Sequence, residues 1–200
     1  MYGIEKMYPI HIWMLCGYAG SGKTTAANIL RTHFDPKTTY VTAFADAVKD
    51  DVAAAYRLPR ELFDTQEGKA TRIKTPDGES TARDLLIDYS LAMKEAHGDA
   101  VWAKEVVRRI RTELDKRTLN NILIHDWRFI SEIETMKTEF IEPKFILHTI
   151  RIVRSSVPSM PIPSEHNIDH YSTDFCIENN NTLDDLNKHI HEILSQYKVK

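Results

Sequence analysis

Gly17-Tyr18-Ala19-Gly20-Ser21-Gly22-Lys23-Thr24 fits the pattern G-x-x-x-x-G-K-[ST] at every fixed position. Upstream, Ile10 to Cys16 is an apolar run that reads as a buried strand. Downstream, Lys23 to Phe34 carries helix formers, with apolar side chains at Ala26, Ile29, Leu30 and Phe34. Strand, glycine-rich turn and helix, in that order, form the setting in which this pattern wraps phosphate. Glycines let the backbone bend closely enough for successive N–H groups to face phosphate oxygens, and the helix start adds the positive end of its dipole. Lys23 is suited to neutralise β and γ phosphates, and the Thr24 hydroxyl to reach Mg²⁺. The expected triphosphate-binding set is therefore Gly17, Ala19, Gly20, Ser21, Gly22, Lys23, Thr24 and Thr25.

Outward from this turn the chain alternates. Tyr40 to Phe44 is a short β-rich run, and Ala45, Val48, Val52 and Tyr56 then recur at helical spacing, with Asp46 at the junction. Thr65 to Ser80, with Gly68, Pro76, Asp77 and Gly78, reads as a mobile polar loop over a cleft. Thr81 is expected to cap a helix that Gly98 ends, and Asp99 to cap the next, whose stripe is Trp102, Val106, Ile110 and Leu114. Asn121 to His125 is a strand ending at Asp126, Ile130 to Phe140 a helix, and Lys144 to Val153 a long strand. Arg154 to Tyr171, with three prolines and four serines, reads as a flap, before a strand at Asp174 to Glu178 and a helix from Leu183 to Tyr197. Five strands alternating with helices predict an α/β fold, a parallel sheet covered on both faces with ligands beyond the carboxyl ends of the strands. The junctions at Gly17, Asp46 and Asp126 all fall at such ends.

Composition narrows the classes. The 200 residues suit one domain, and 42% hydrophobic residues supply a core. A formal net charge of -3 leaves no global positive field for long nucleic acid. No apolar run approaches the roughly 20 residues of a membrane span, and the N-terminus lacks a signal-peptide layout, so a cytoplasmic protein without a membrane partner is expected. Cys16 and Cys176 sit in strand-like segments and are expected as buried thiols. A guanine-reading Asn-Lys-x-Asp motif is missing: the one Asn-Lys, Asn187-Lys188, continues into His189 and Ile190. His166 and His170 have helical metal-ligand spacing without an evident third ligand. Arg108, Arg109 and Arg111 are expected to face solvent.

Asp46 and Lys49 stand one helical turn apart at the mouth of a strand. Asp126, which could hold Mg²⁺ through water, is followed by Arg128, available for a phosphate, and by Glu132. Together these suggest an acceptor pocket facing the phosphate turn. A nucleotide-binding switch without an acceptor, and a kinase acting on a modified pyrimidine in DNA or on a small phosphorylated metabolite, are the other readings.

In these blocks the chain resembles the deoxynucleoside monophosphate kinases of bacteriophages and large DNA viruses, within the P-loop kinase group. The resemblance runs through Gly17 to Thr24, Phe44-Ala45-Asp46 with Lys49, Arg60 to Phe63, Thr81 to Leu86, Asp99 to Ala103 with Trp102, and Asp126-x-Arg128-Phe129 with Glu132. It continues at Arg154, Ser164-Glu165 and Glu178-Asn179-Asn180. It implies ATP and Mg²⁺, a deoxynucleoside monophosphate acceptor, and a P-loop fold on a five-stranded parallel sheet. A helical acceptor-binding insertion is implied at about residues 58–118, a lid at about 154–172, and a homodimer is reasonable. Carried over, Asp46, Lys49, Arg83, Trp102 and Glu132 would serve the acceptor, Arg72 and Lys74 would ride a mobile loop, and Arg154 would close from the lid. Lys23, Asp126, Arg128 and Arg154 would be catalytic. Lys94 stands where relatives often carry arginine and offers a point charge without the guanidinium fork.

Overall fold

The computed structural model describes residues 9–76, 78–159 and 166–197. The run before the glycine turn becomes β1 (Ile10–Cys16), whose last five residues are all buried. Its side chains alternate as a pleated strand requires: Ile12, Met14 and Cys16 enter one apolar cluster, and Trp13 and Leu15 the other. A strand buried on both faces must be apolar at every position, which is why this segment lacks the polar alternation of a surface strand. From its end the chain enters α1 (Lys23–Thr32), then β2 (Thr39–Thr42) and α2 (Phe44–Tyr56).

The sheet continues with β5 (Asn121–Ile124), β6 (Phe145–Val153) and β7 (Phe175–Glu178), and all pairings in the order β2-β5-β1-β6-β7 are parallel. On one face, α1 and the last helix, α7 (Leu183–Ser195), pack over Trp13, Leu15, Leu123, Ile150 and Ile177. On the other, α5 (Val101–Lys116) and α6 (Ile130–Glu139) cover Ile12, Met14, Ile122 and Ile124. This three-layer α/β/α arrangement, with the glycine turn between its central strand and α1, is the P-loop fold expected from the sequence. The strands that end at Gly17, Asp46 and Asp126 are neighbours, so the three junctions share one end of the sheet.

Between α2 and α5 the chain builds a third cluster. The turn Arg60–Phe63 buries Phe63, and α4 (Ala82–His97) packs Ala82 and Leu85 against Val48 and Val52. Thr81 caps α4 as expected, in a reciprocal pair with Asp84, and Gly98 ends it at φ 89. Residues 65–76 and 78–80 are no open loop. They contain a one-turn helix, α3 (Gln66–Lys69), and an antiparallel hairpin of β3 (Arg72–Thr75) and β4 (Gly78–Thr81). The loop reading followed the glycines and proline, whereas these residues supply the turns and Ile73, packed on the third cluster, fixes the hairpin between them.

Three smaller expectations change. Asp99 does not cap α5; Ala100 occupies that position without a side-chain cap, and the Asp99 carbonyl accepts from Ser131 instead. Cys176 is exposed because β7 is the sheet edge, while Cys16 is buried and its thiol is pushed up to about 11 by burial. Arg109 faces inward, bonding Asp50 of α2 and Glu105, whereas Arg108 and Arg111 form exposed pairs with Glu105 and Glu139. Of the flap, Pro161, Pro163 and Ser164-Glu165 lie outside the described residues. Among the described residues no helix is long and apolar enough to cross a membrane.

Candidate active site

The phosphate cradle is built by close approach. Gly17, Gly20 and Gly22 take φ values of 140, 82 and 102, a left-handed run that turns the backbone around a concavity. A Cβ on Gly17 would collide with the Ile152 carbonyl oxygen of β6, so only glycine lets β1 leave the sheet here. Asn179, just beyond β7, donates to the Ser21 carbonyl at 2.9 Å and braces the loop from the far side. Lys23 is largely buried, and its Nζ donates to the carbonyls of Gly17 and Tyr18 at 2.7 and 2.8 Å. Ser21 Oγ is buried without a hydrogen-bond partner among the described residues. Such an orphan is costly unless a ligand completes it, and a phosphate oxygen would do so. The cradle therefore fits a nucleoside triphosphate, and the exposed Thr24 at the start of α1 fits a magnesium ligand.

Asp126 has a role that sequence spacing could not reveal. Helix α2 lacks a local cap: Ala43 precedes it and contributes no side-chain bond. The two Asp126 carboxylate oxygens instead accept from the backbone N–H groups of Phe44 and Ala45, each at 2.8 Å, across 82 and 81 residues of sequence. This carboxylate fixes the start of α2, and with it Asp46 and Lys49, to the exit of β5. Each oxygen retains acceptor capacity for the water shell of a cation. Asp126→Ala is expected to destabilise the fold by about 1–2 kcal/mol, read from urea unfolding, because two helix-start donors lose their acceptor. Unchanged stability would remove the capping role.

The rest of the Asp126 segment is held equally firmly. Trp127 N–H donates to the Leu15 carbonyl at 3.1 Å, which sets Arg128 beside the exit of β1. Glu132 is buried and accepts from the N–H groups of Arg128 and Phe129 at 2.8 and 3.0 Å. Burial pushes its carboxyl up to about 8, against those two bonds and with help from the nearby Asp126 charge. Glu132 thus braces Arg128 from within, a role the resemblance did not imply. Lys94, late in α4, lies with Nζ 3.5 Å from the centroid of the Phe129 ring. Lys94 therefore reaches this segment.

Asp46 and Lys49 belong to an ion-pair lattice. Arg60 bridges Asp46, Asp50 and Asp64, while Lys49 contacts Asp46 at 3.4 Å and Asp64 at 2.9 Å. Burial opposes ionisation of Asp50, but its bonds from Arg109 and Arg60 outweigh this and hold its carboxyl below the usual range. Arg60 and Asp64, unassigned in the sequence, are what orient Lys49. Arg83 is exposed and bonds Gln66 Oε1 at 2.6 Å. Three expected contacts are not drawn in. Arg72 pairs with Glu79 on the exposed hairpin, Lys74 is exposed two residues on, and Arg154 is exposed just beyond β6. Trp102 is buried in the third cluster and donates to the Ser90 carbonyl, which makes it a core residue joining α4 and α5.

No protein-family model matches the sequence, and no curated protein matches it. Among solved structures the chain is similar to the tunicamycin resistance protein of Deinococcus radiodurans, at 11% identity and a TM-score of 0.48 over 96% of this chain and 97% of that one. It is also similar to shikimate kinase from Acinetobacter baumannii in complex with shikimate, at 13% identity and a TM-score of 0.44 over 97% of each chain. A third is the Mycobacterium tuberculosis APS kinase CysC in complex with AMPPNP and APS, at 10% identity and a TM-score of 0.45 over 94% of this chain and 99% of that one.

Residues 166–171 touch the cradle directly. Tyr18 Oη donates to Asp169, which also takes His166 Nδ1 at 2.6 Å, and Asn167 accepts from Ile130 N–H at the start of α6. Arg151 donates to the carbonyls of Ile168 and Tyr171, anchoring this turn to β6. Residues 166–171 therefore join the phosphate loop to the segment that carries Arg128. A groove of about 660 Å³ lies elsewhere, between β7 and α7; its lining includes Asp174, Glu178 and Glu192 but no lysine or arginine, so it repels phosphate.

Proposed function

We propose that this protein is a kinase that moves the γ-phosphoryl group of ATP to the phosphate of a deoxynucleoside monophosphate. The observation that carries this reading is the arrival of Lys23, Asp46 with Lys49, and Asp126 with Arg128 at one end of three neighbouring strands. A nucleotide switch needs the first group alone; the other two suit a second, anionic substrate opposite the triphosphate.

Phosphoryl transfer asks mainly for alignment and for positive charge around the moving group. An oxygen of the acceptor phosphate attacks the γ phosphorus, and the bond from that phosphorus to the bridging oxygen breaks, so that ADP leaves with the electron pair. Lys23 stabilises charge at the γ phosphate, and Arg128, fixed by the Glu132 brace, stabilises it from the acceptor side. Asp126 holds the α2 start, and through it Lys49, at the acceptor position. Thr24, and Asp126 through water, would hold Mg²⁺, which would supply charge neutralisation on the phosphate oxygens. Arg154 would add a further cation when the lid segment closes and water is excluded.

One observation favours a second reading, in which the acceptor is a hydroxyl of a small phosphorylated metabolite. A hydroxyl needs a proton acceptor, and the His166–Asp169 pair beside Tyr18 of the cradle has that chemistry, which a phosphate acceptor does not use. The test is ADP release with ATP and Mg²⁺ across deoxynucleoside monophosphates, hydroxyl-bearing sugar phosphates and oligonucleotides. Release that depends on particular monophosphates supports the proposal. Release that depends on a hydroxyl acceptor or an oligonucleotide replaces it, and release indifferent to any acceptor removes it.

A further inference from the structure

Lys69 lies at the end of α3, the one-turn helix between the Arg60 turn and the hairpin, and the seat of that helix is tightly made. Thr65 Oγ1 accepts from Gly68 N–H, and a Cβ at Gly68 would collide with the Leu62 carbonyl oxygen, so the turn packs against its predecessor as closely as glycine permits. Two cations are tied to the same turn from other elements: Lys49 of α2 reaches Asp64 at 2.9 Å, and Arg83 of α4 reaches Gln66 Oε1 at 2.6 Å. Phe63 beneath it is fully buried. Lys69 is thus held on a built platform.

Its surroundings are unbalanced in charge. Among the described residues the half-buried Lys69 ammonium has no hydrogen-bond or ion-pair partner, whereas Lys49 and Arg60 are both held by carboxylates. The charged groups that act on it are Lys49, Arg83 and Arg128, with Asp64 the opposing carboxylate. Burial comes first and these like charges next in holding its pKa below the ordinary lysine value. Gathering cations around a half-buried lysine disfavours the ligand-free protein. An anion seated among them would reverse that sign. The platform adjoins the transfer site, since Arg128 stands beside the exit of β1 and Lys49 one turn from the α2 start that Asp126 holds.

We infer that Lys69 completes a four-cation clamp with Lys49, Arg83 and Arg128 for the dianionic phosphomonoester group of the acceptor. The inference rests on the kinase reading for its role in turnover, but the clamp itself is a statement about anion binding. Doubly charged phosphomonoesters are the matching class, because a sulfate ester of the same shape carries one charge less against the same four cations. Lys49 and Arg83 are already held by neighbours, so Lys69 is the member that gains its partner outright when the phosphate arrives.

Calorimetric titration with phenyl phosphate and phenyl sulfate tests the clamp without any turnover. The wild type is expected to bind the phosphate ester at least tenfold more tightly than the sulfate ester, and Lys69→Gln to lose most of that preference. Lys104→Gln, which removes the same charge from an exposed position on α5, should leave it unchanged. In turnover, Lys69→Gln should raise KM for the accepted monophosphate about tenfold while kcat and the KM for ATP move less than threefold. Equal phenyl phosphate affinity in wild type and Lys69→Gln, or an equal fall in Lys104→Gln, would overturn the inference while leaving the kinase reading intact. A wild type that turns over no monophosphate yet shows the phosphate preference would do the reverse.

Discussion

Lys23→Ala is expected to lower acceptor-dependent ADP formation by roughly 10²- to 10³-fold, a loss of about 2.7–4 kcal/mol of transition-state stabilisation. The magnitude follows from where the charge goes. As the γ phosphorus passes between oxygens, charge rests on its equatorial oxygens and on the bridging oxygen of the leaving ADP, and a lysine at this position is the cation nearest both. At rest Lys23 Nζ is held by the Gly17 and Tyr18 carbonyls, so its side chain is already directed along the loop before a triphosphate binds. Truncation leaves these two carbonyls beside a cleft that water can enter, and the unfolding midpoint should therefore shift little. Lys23→Arg keeps the charge but needs room for a planar fork in a loop whose glycines already wrap tightly, so it should recover little activity. The check is steady-state ADP release at saturating ATP, alongside urea unfolding of each variant. Activity within tenfold of wild type in Lys23→Ala would take Lys23 out of the transition state.

The cradle was legible in the sequence because everything that makes it is local: strand, turn, lysine and helix follow one another within a few residues. The sheet was legible for the same reason, since period-two and period-3.6 patterns report on neighbours in the chain. What joins the elements was not. Asp126 caps α2 from 82 residues away, and no spacing rule connects them. Arg60, Asp64 and Arg109 look like ordinary surface charges until folding brings α2, the Arg60 turn and α5 together around Asp50. That Trp102 packs in the core between α4 and α5 and that Glu132 braces the Arg128 segment was equally hidden, because a place in the sequence does not fix the direction of a side chain. The reverse holds for Lys69, which sits in what reads as a polar loop and becomes visible only once α3 is seen packed under Lys49 and Arg83.

The second large effect lies at the opposite end of the sheet and concerns stability. His148 of β6 is 2% exposed, with Trp13 stacked on it at 4.0 Å between ring centroids, Tyr197 edge-on at 4.3 Å, and His11 Nδ1 at 2.8 Å from its Nε2. Burial first, then the neighbouring His11, pushes the pKa of His148 down to about 4, with Asp174 opposing. Burial lowers His11 as well, and two charged imidazoles could not share one hydrogen bond. Unfolded, an imidazole titrates near 6.5. Between pH 6.5 and about 4 the unfolded chain therefore binds a proton that folded His148 refuses, so its contribution is complete above pH 6.5 and is lost as pH falls toward 4. By pH 4.5 the loss should reach about 2.5 kcal/mol. Glu132 works the other way, since a carboxyl raised to about 8 favours the folded state increasingly as pH falls from 8 toward 4.5. The wild-type profile is thus a sum, and the histidine must be isolated by difference. Urea unfolding of wild type and His148→Gln at pH 7.5 and 4.5 does this. The wild type's advantage should shrink by about 2.5 kcal/mol on acidification, and an advantage constant to within about 0.5 kcal/mol would show that His148 is not the group refusing the proton.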